Sequence, residues 1–401
     1  MKRFIIFALL PAVLFINGCA PASDFDARLN PFVTPYRFSI AGWEWQTIIE
    51  QAKDWYSGRK IQVDDGTRRV TEYFDAGKRI RTLQSEIEEV VIKSGGSAPF
   101  QLEYELRNLQ EKQALQAPIV EKVIKKQIRE TLAEQDIFNP VGKGKAGFPP
   151  LNFKLEEMPA LLVISSREKI ESLREIVLEQ DMTLKEKEAL EAKVDESGVS
   201  SLVVNLGGMA TYPSLIDSGA GLSSAIETAA HEWLHQYLAF TPLGFRYVLD
   251  LTGISPNYDI ATMNESLAGM VGKEIGAVVY RKYYPAYESE TTPKAGNSFD
   301  FNLAMREIRK MVDTYLARGE IKQAEDFMEQ QRKVLASNGY YIRKLNQAYF
   351  AFHGAYADSP AFQNPIGLEL KELRAKSASL KDFLAKAAGM TSRRDLAESV
   401  R

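Results

Sequence analysis

His231-Glu232-Trp233-Leu234-His235 lies inside the run LSSAIETAAHEWLHQYLAF, residues 222–240, and its reading decides the rest of the chain. Ile226, Ala230, Trp233, Leu234 and Tyr237 recur at helical spacing, which predicts a buried helix with one apolar stripe. Ala229 and Ala230, just before the first histidine, are small enough to let that helix pack closely against a neighbour. Residues four apart on a helix share a face, one turn above the other. His231 and His235 therefore project together, and both imidazoles reach one metal ion. Glu232, one position on, comes close enough to touch a water held by that ion. A catalytic zinc takes three protein ligands, keeps a position open for water, and lowers the pKa of that water to about 7. A neighbouring carboxylate is then the base that takes the proton. Of the three histidines in the chain, two are in this stretch, which makes the pairing the main chemical signal of the sequence.

The chain has 401 residues, 45% hydrophobic and 26% charged, enough for one large globular domain or two smaller ones. A formal net charge of −3 and the lack of a basic patch argue against a nucleic-acid partner. The first residues differ in character. Lys2 and Arg3 precede the apolar run FIIFALLPAVLFI, residues 4–16, which is too short to span a bilayer and reads as the core of a signal peptide. Ile16-Asn17-Gly18-Cys19 follows and resembles the lipobox of bacterial lipoproteins. The resemblance implies cleavage before Cys19, acylation of that cysteine (palmitate included), and attachment to the cell envelope. Several acyl chains exceed the two signals needed for stable anchoring. Ala20 stands where an aspartate would resemble an inner-membrane retention signal, which favours the outer membrane, facing the periplasm. Cys19 is the only cysteine, so the body folds without disulfides, and no later stretch is long and apolar enough for a transmembrane helix.

Read in order, the chain divides into a signal peptide 1–18, a tether 19–38 marked by Pro21, Pro31 and Pro35, a helical N-terminal region 39–138, and a domain 151–401. The expected N-terminal helices are Trp43–Tyr56, Thr67–Lys93 and Gln101–Gln135, with Pro118 kinking or splitting the third. NPVGKGKAGFPP, residues 139–150, is the boundary. Beyond it, Ala160–Ser165 and Ser201–Asn205 read as strands and Ala210–Ile216 as a return strand. Glu168–Gln180 and Leu184–Asp195 read as helices, and Leu243–Ile260 as a loop. Later helices are expected at Phe301–Ala317, Ile321–Leu335, Tyr340–Phe352, Leu368–Arg374 and Leu380–Ala388. The fold class is α+β, predominantly helical, with a small β-sheet and an N-terminal helical layer.

Thr262–Tyr280, TMNESLAGMVGKEIGAVVY, carries Glu265 in its first turn and Ala268, Gly269, Gly272 and Gly276 at three- and four-residue spacing. A glycine inside a helix costs about 1 kcal/mol relative to alanine, so a face with three of them implies a close helix–helix contact. If the partner is the 222–240 helix, Glu265 reaches the metal; Glu274, Asp259 and Asp250 are rivals for third ligand.

H-E-x-x-H followed by Asn264-Glu265-Ser266-Leu267-Ala268 resembles the gluzincin group of zinc metallopeptidases, which includes thermolysin-like and M1-type aminopeptidase-like enzymes. The resemblance covers roughly residues 200–280. It implies a zincin-like catalytic core with Zn2+ held by His231, His235 and Glu265, and with Glu232 as general base. A strand within 201–212 would pair with an extended peptide or protein substrate. His353 or Tyr356, in the later segment FHGAYADSP (352–360), would donate to the oxyanion. The function so implied is a membrane-anchored zinc peptidase, endopeptidase or aminopeptidase. The alternative is a non-catalytic envelope lipoprotein whose zinc site serves binding or assembly.

Overall fold

Every residue of the strand Ala160–Ser165 is buried, and this places the layers of the molecule. Successive side chains of a strand point to opposite faces. Ala160, Leu162 and Ile164 join Leu29, Val33, Leu178, Leu190 and Val194 on one side. Leu161 and Val163 join Leu202 and Ala348 on the other. The strand is thus a β-layer covered on both faces, which explains its continuous run of branched apolar residues.

The computed structural model describes residues 24–56, 66–94, 99–142, 144–180, 182–287, 299–354 and 365–401. The signal peptide, Cys19 and Tyr356 lie outside the described residues. Within them the chain forms α1 (Asp24–Val33), α2 (Ile40–Tyr56), α3 (Gly66–Ser94), α4 (Phe100–Glu134), β1 (Phe153–Glu156), β2 (Ala160–Ser165) and β3 (Ser172–Leu178). It continues through α5 (Leu184–Asp195), β4 (Ser200–Asn205), β5 (Gly208–Met209), β6 (Ser214–Asp217), α6 (Leu222–Leu238), α7 (Pro242–Leu251) and α8 (Tyr258–Tyr283). The C-terminal helices are α9 (Phe301–Ala317), α10 (Ile321–Ser337), α11 (Gln347–His353), α12 (Ile366–Lys376), α13 (Leu380–Ala388) and α14 (Arg393–Ser399). The fold is α+β and predominantly helical. One antiparallel sheet has the order β3-β2-β4; a second has β1-β6-β5, with β1 parallel to β6. No helix among the described residues is long and apolar enough to cross a membrane.

Several expectations change. Residues 168–180, expected as a helix, contain β3, which pairs with β2 from Ala160↔Leu178 to Ser165↔Ser172. Its Glu, Arg and Leu favour a helix in isolation, and pairing beside a fully buried strand overrides that preference. Residues 243–260, expected as a loop, contain α7, started by Pro242 in the first turn and by the Thr241 hydroxyl accepting from Gly244 N. The expected tether contains α1, whose Leu29 and Val33 are 2% and 0% exposed in the core beneath the sheet. Pro118 lies inside α4 without ending it. Of Tyr340–Phe352 only Gln347–His353 is helical, because Asn346 caps it at Tyr349 N.

The Gly- and Pro-rich stretch 139–150 does not separate two cores. One apolar cluster runs from Tyr73 in α3 and Ile124 and Ile128 in α4 to Trp233 and Leu234 in α6, Val271 in α8 and Phe383 in α13. Trp233 Nε1 donates to Pro149 O at 2.8 Å and ties the stretch to α6. The N-terminal helices are therefore a wall of the same core that holds the histidine helix. Ile124 is 0% exposed in that wall, so Ile124→Ala is expected to lower stability by about 2–5 kcal/mol. Chemical denaturation followed by tryptophan fluorescence and by circular dichroism should show one shifted transition. Two separate transitions would contradict the shared core.

Candidate metal centre

The site starts from how closely α6 and α8 approach. A Cβ built on Gly272 would lie 3.0 Å from His231 N and 3.1 Å from Glu227 O. One on Gly276 would lie 3.1 Å from Glu227 Cα. Backbone meets backbone here, so the glycines read in the sequence as a contact face are one, and their partner is α6. Gly269 is less constrained: its Cβ would stand 4.0 Å from His231 Nδ1, an ordinary contact. Ala225, Ile226, Ala229, Ala230 and Leu234 on α6 and Met263, Leu267, Ala268, Val271 and Ile275 on α8 are all buried, which holds the pair in place.

That contact brings Asn264 and Glu265, about two turns into α8, beside the histidines. His231 Nε2 lies 3.0 Å from His235 Nε2. The Glu265 carboxylate reaches both rings, Oε2 at 3.6 Å from His231 Nε2 and Oε1 at 3.5 Å from His235 Nε2. Three donors around a tetrahedral zinc, each about 2.0–2.2 Å from it, stand roughly 3.3–3.6 Å apart. The two carboxylate-to-ring separations, 3.5 and 3.6 Å, fall in that range, and the nitrogen pair at 3.0 Å is shorter than it. The carboxylate that faces both rings puts a negative charge where a cation, proton or metal ion, would be held. His231, Glu232 and His235 together form a group able to hold a metal ion, with ligand atoms within 4.8 Å of one another.

The surroundings orient these groups. His235 Nδ1–H donates to Asn264 Oδ1 at 2.7 Å, with Asn264 fully buried. That assignment leaves the lone pair on Nε2, the nitrogen that faces His231 and Glu265. The Tyr247 hydroxyl donates to Glu265 Oε1 at 2.7 Å, and its ring lies 5.8 Å from that of His235. Glu232 is 8% exposed. A Cβ on Gly208 would lie 2.5 Å from its Oε1 and 2.4 Å from Thr228 Cγ2, so β5 passes close over this carboxylate.

Electrostatics follow from two carboxylates and two imidazoles in little water. Burial pushes the Glu232 carboxyl up, against the pull of the His231 and His235 rings. Burial would also raise Glu265, but His235 and His231 outweigh it and hold Glu265 well below the usual carboxylate range. Burial would lower His235, yet the charge of Glu265 and its contact raise it to about 9. With protons as the only cations, the cleft thus keeps a proton on His235. Two buried carboxylates favour positive charge between them.

A cleft of about 330 Å³ opens onto this group, walled by Leu206, Gly207, Gly208, Met270, Lys273 and Phe352 among others. The rivals for third ligand are engaged elsewhere or go unplaced at the rings. Glu274 is bound by Arg374 at 2.7 and 3.0 Å, Asp250 accepts from Asn257 N, and Asp259 stays in the first turn of α8. His353 is not on the cleft wall. Its ring packs 4.3 Å from that of Tyr349, and burial pushes its pKa down. Its neighbour Phe352 does line the cleft. Sequence reasoning gave no role to Asn264 or Tyr247. Asn264 was visible beside Glu265; Tyr247 was hidden because the Thr241-Pro242 helix start was read as the beginning of a loop.

In comparison with known proteins, the chain matches no family model, no curated protein and no solved structure. The site therefore rests on its own geometry. Gly272→Ala forces a methyl against the α6 backbone and is expected to part the helices. The predicted result is at least about a tenfold loss of metal affinity and about 1–3 kcal/mol of stability. Gly269→Ala, with room for its methyl, should keep the metal. Titration with a metal-responsive dye distinguishes the two.

Proposed function

We propose that this chain is a membrane-anchored zinc peptidase with a zincin-like core of gluzincin type, His231, His235 and Glu265 holding the ion and Glu232 serving as general base. The observation that carries the reading is the reach of Glu265, from a second helix, to both imidazoles of the first. Two imidazoles and one carboxylate, with an open cleft beside them, suit zinc; the same donor set also suits ferrous iron, so metal analysis belongs in the first experiment. Zinc bound there supplies Lewis acidity, polarising a carbonyl and bringing the pKa of water to about 7.

The chain's own residues do the rest. Glu232, buried but lining the cleft beside His231, takes the proton of the attacking water and returns it to the leaving amine. Asn264 holds the His235 ring in the tautomer that presents Nε2. Tyr247 fixes the Glu265 carboxylate so that it faces the rings. The backbone at Gly208, in the short strand β5, passes over Glu232 at the cleft wall, where an extended peptide would pair. The oxyanion donor carried over from the gluzincins is His353 or Tyr356: α11 delivers the chain to the cleft at Phe352, one residue before His353. Lipid on Cys19 attaches this body to the envelope, with a peptide or protein as substrate.

Glu232→Gln should keep zinc and lose about 10²–10⁴ in kcat against a peptide library. Glu265→Ala should lose the zinc itself, by elemental analysis of the purified protein. Unchanged hydrolysis in Glu232→Gln would sink the mechanism. Zinc retained by the native protein with no peptide cut would favour the non-catalytic lipoprotein reading. In a bacterial host, Cys19→Ser should move the protein from the membrane to the soluble fraction and abolish palmitate labelling; retention in the membrane would remove the anchor.

A further inference from the structure

Beyond the metal ligands the cleft continues for one more helical turn. His231 and Glu227 on α6 line it, and so do Gly269 and Lys273 on α8. Each pair is four residues apart, so the two helices present matching rows along one groove. The first row is at the metal, where Gly269 faces His231 Nδ1. The second is at Glu227. Gly272 meets the Glu227 backbone, and a Cβ on Gly276 would run into Glu227 Cγ. These two contacts fix where the Glu227 side chain leaves its helix: one turn from His231, about 5–6 Å away, on the side opposite His235.

The charge of Glu227 is only partly compensated. The residue is half-buried. Ser223 Oγ donates to its Oε1 at 3.1 Å, and no lysine or arginine among the described residues pairs with it at contact distance. Burial pushes its carboxyl up, while Ser223 and the more distant charge of Lys273, exposed on the opposite wall, pull it down. Glu232 and Glu265 are committed to the metal and its water in the reading above, which leaves Glu227 as the cleft acid with no task there. A half-buried carboxylate on a groove favours a cation beside it. Ser266, one row before Gly269 on the same α8 wall, is 2% exposed, and its hydroxyl has no hydrogen-bond partner among the described residues. The groove thus carries a buried polar group that an occupant would satisfy.

We propose that Glu227 is a specificity-determining residue: it takes a positive charge of the substrate, an ammonium or guanidinium group, placed next to the bond that is cut. The inference rests on the peptidase reading above and names its substrate class. Two sources supply that charge, a free α-amine on the residue whose carbonyl is attacked, or a Lys or Arg side chain beside the bond. A neutral or acidic group in the same place leaves Glu227 without a counter-charge and is discriminated against.

The test uses the zinc-loaded full chain and matched pairs of synthetic peptides that share one cleaved bond. One pair differs only in a free α-amine against hydrogen in its place, the other only in lysine against norleucine beside the bond. In one of the pairs the cationic member should have a kcat/KM about tenfold or more higher, and that pair names the source of the charge. Glu227→Gln should keep its zinc by elemental analysis and its fold by melting curve, and reduce the preference to about threefold or less. Glu227→Asp, still charged, should retain part of it. In Glu232→Gln, which is expected to bind peptides without cutting them, the Kd values of the same pair should differ in the same sense. Equal rates within both pairs, or undiminished preference in a folded, zinc-loaded Glu227→Gln, overturn the proposal; should that variant lose its fold or its zinc, the native protein's pairs decide. Peptides cut with no preference for charge sink this inference alone. If no peptide is cut, the peptidase reading fails, and this one with it.

Discussion

The rest of the site depends on the approach of two helices at Gly272 and Gly276. Neither position has space for a methyl group, since the α6 backbone at Glu227 and His231 occupies it. Glycine in a helix lowers its stability by about 1 kcal/mol, and the return is that two backbones touch. Once they touch, Glu265, two turns towards the start of α8, stands beside the histidines without any distortion of either helix. Held instead at an ordinary separation by larger side chains, the carboxylate would fall short of the rings.

Around this contact the structure places supports of two kinds. The buried apolar residues of both helices, with the N-terminal helices as an outer wall, fix the helices as bodies. Asn264 and Tyr247 fix the side chains within the site, one by its bond to His235 and the other by its bond to Glu265. Both come from the segment running from the end of the histidine helix through the second turn of α8, so a short piece of chain supplies the Glu265 carboxylate and its supports together. Burial pushes both carboxyls up, and the outcome differs with their partners: the pull of His231 and His235 offsets the desolvation of Glu232 only in part, while their contact with Glu265 outweighs burial and holds it well below the usual carboxylate range. Two acids on one cleft thereby differ in how readily each holds a proton.

The β-structure has a quieter part. Its central strand, β2, is wholly buried, and the edge of β4 is consumed by Glu191, Asp195, Arg343 and Asn346. Free strand edges invite uncontrolled pairing, and these side chains close that edge at Ser201 and Val203.

The sequence determined what is local. The histidine pair at i and i+4, the inward stripe of α6, the glycine face of α8 and the strand at Ala160–Ser165 follow from periodicity, and each sits in the fold where the spacing put it. Pairing and burial across the chain were decided only by the tertiary structure, because they join residues whose sequence neighbours carry no trace of them. β3 became a strand because β2 lay beside it, α1 became part of the core because β2 and β3 needed a cover, and Tyr247 came to Glu265 because α7 turned it there. Glu265 belongs to both accounts: its helix was legible from spacing, but its place at the two imidazoles exists only because the two backbones meet.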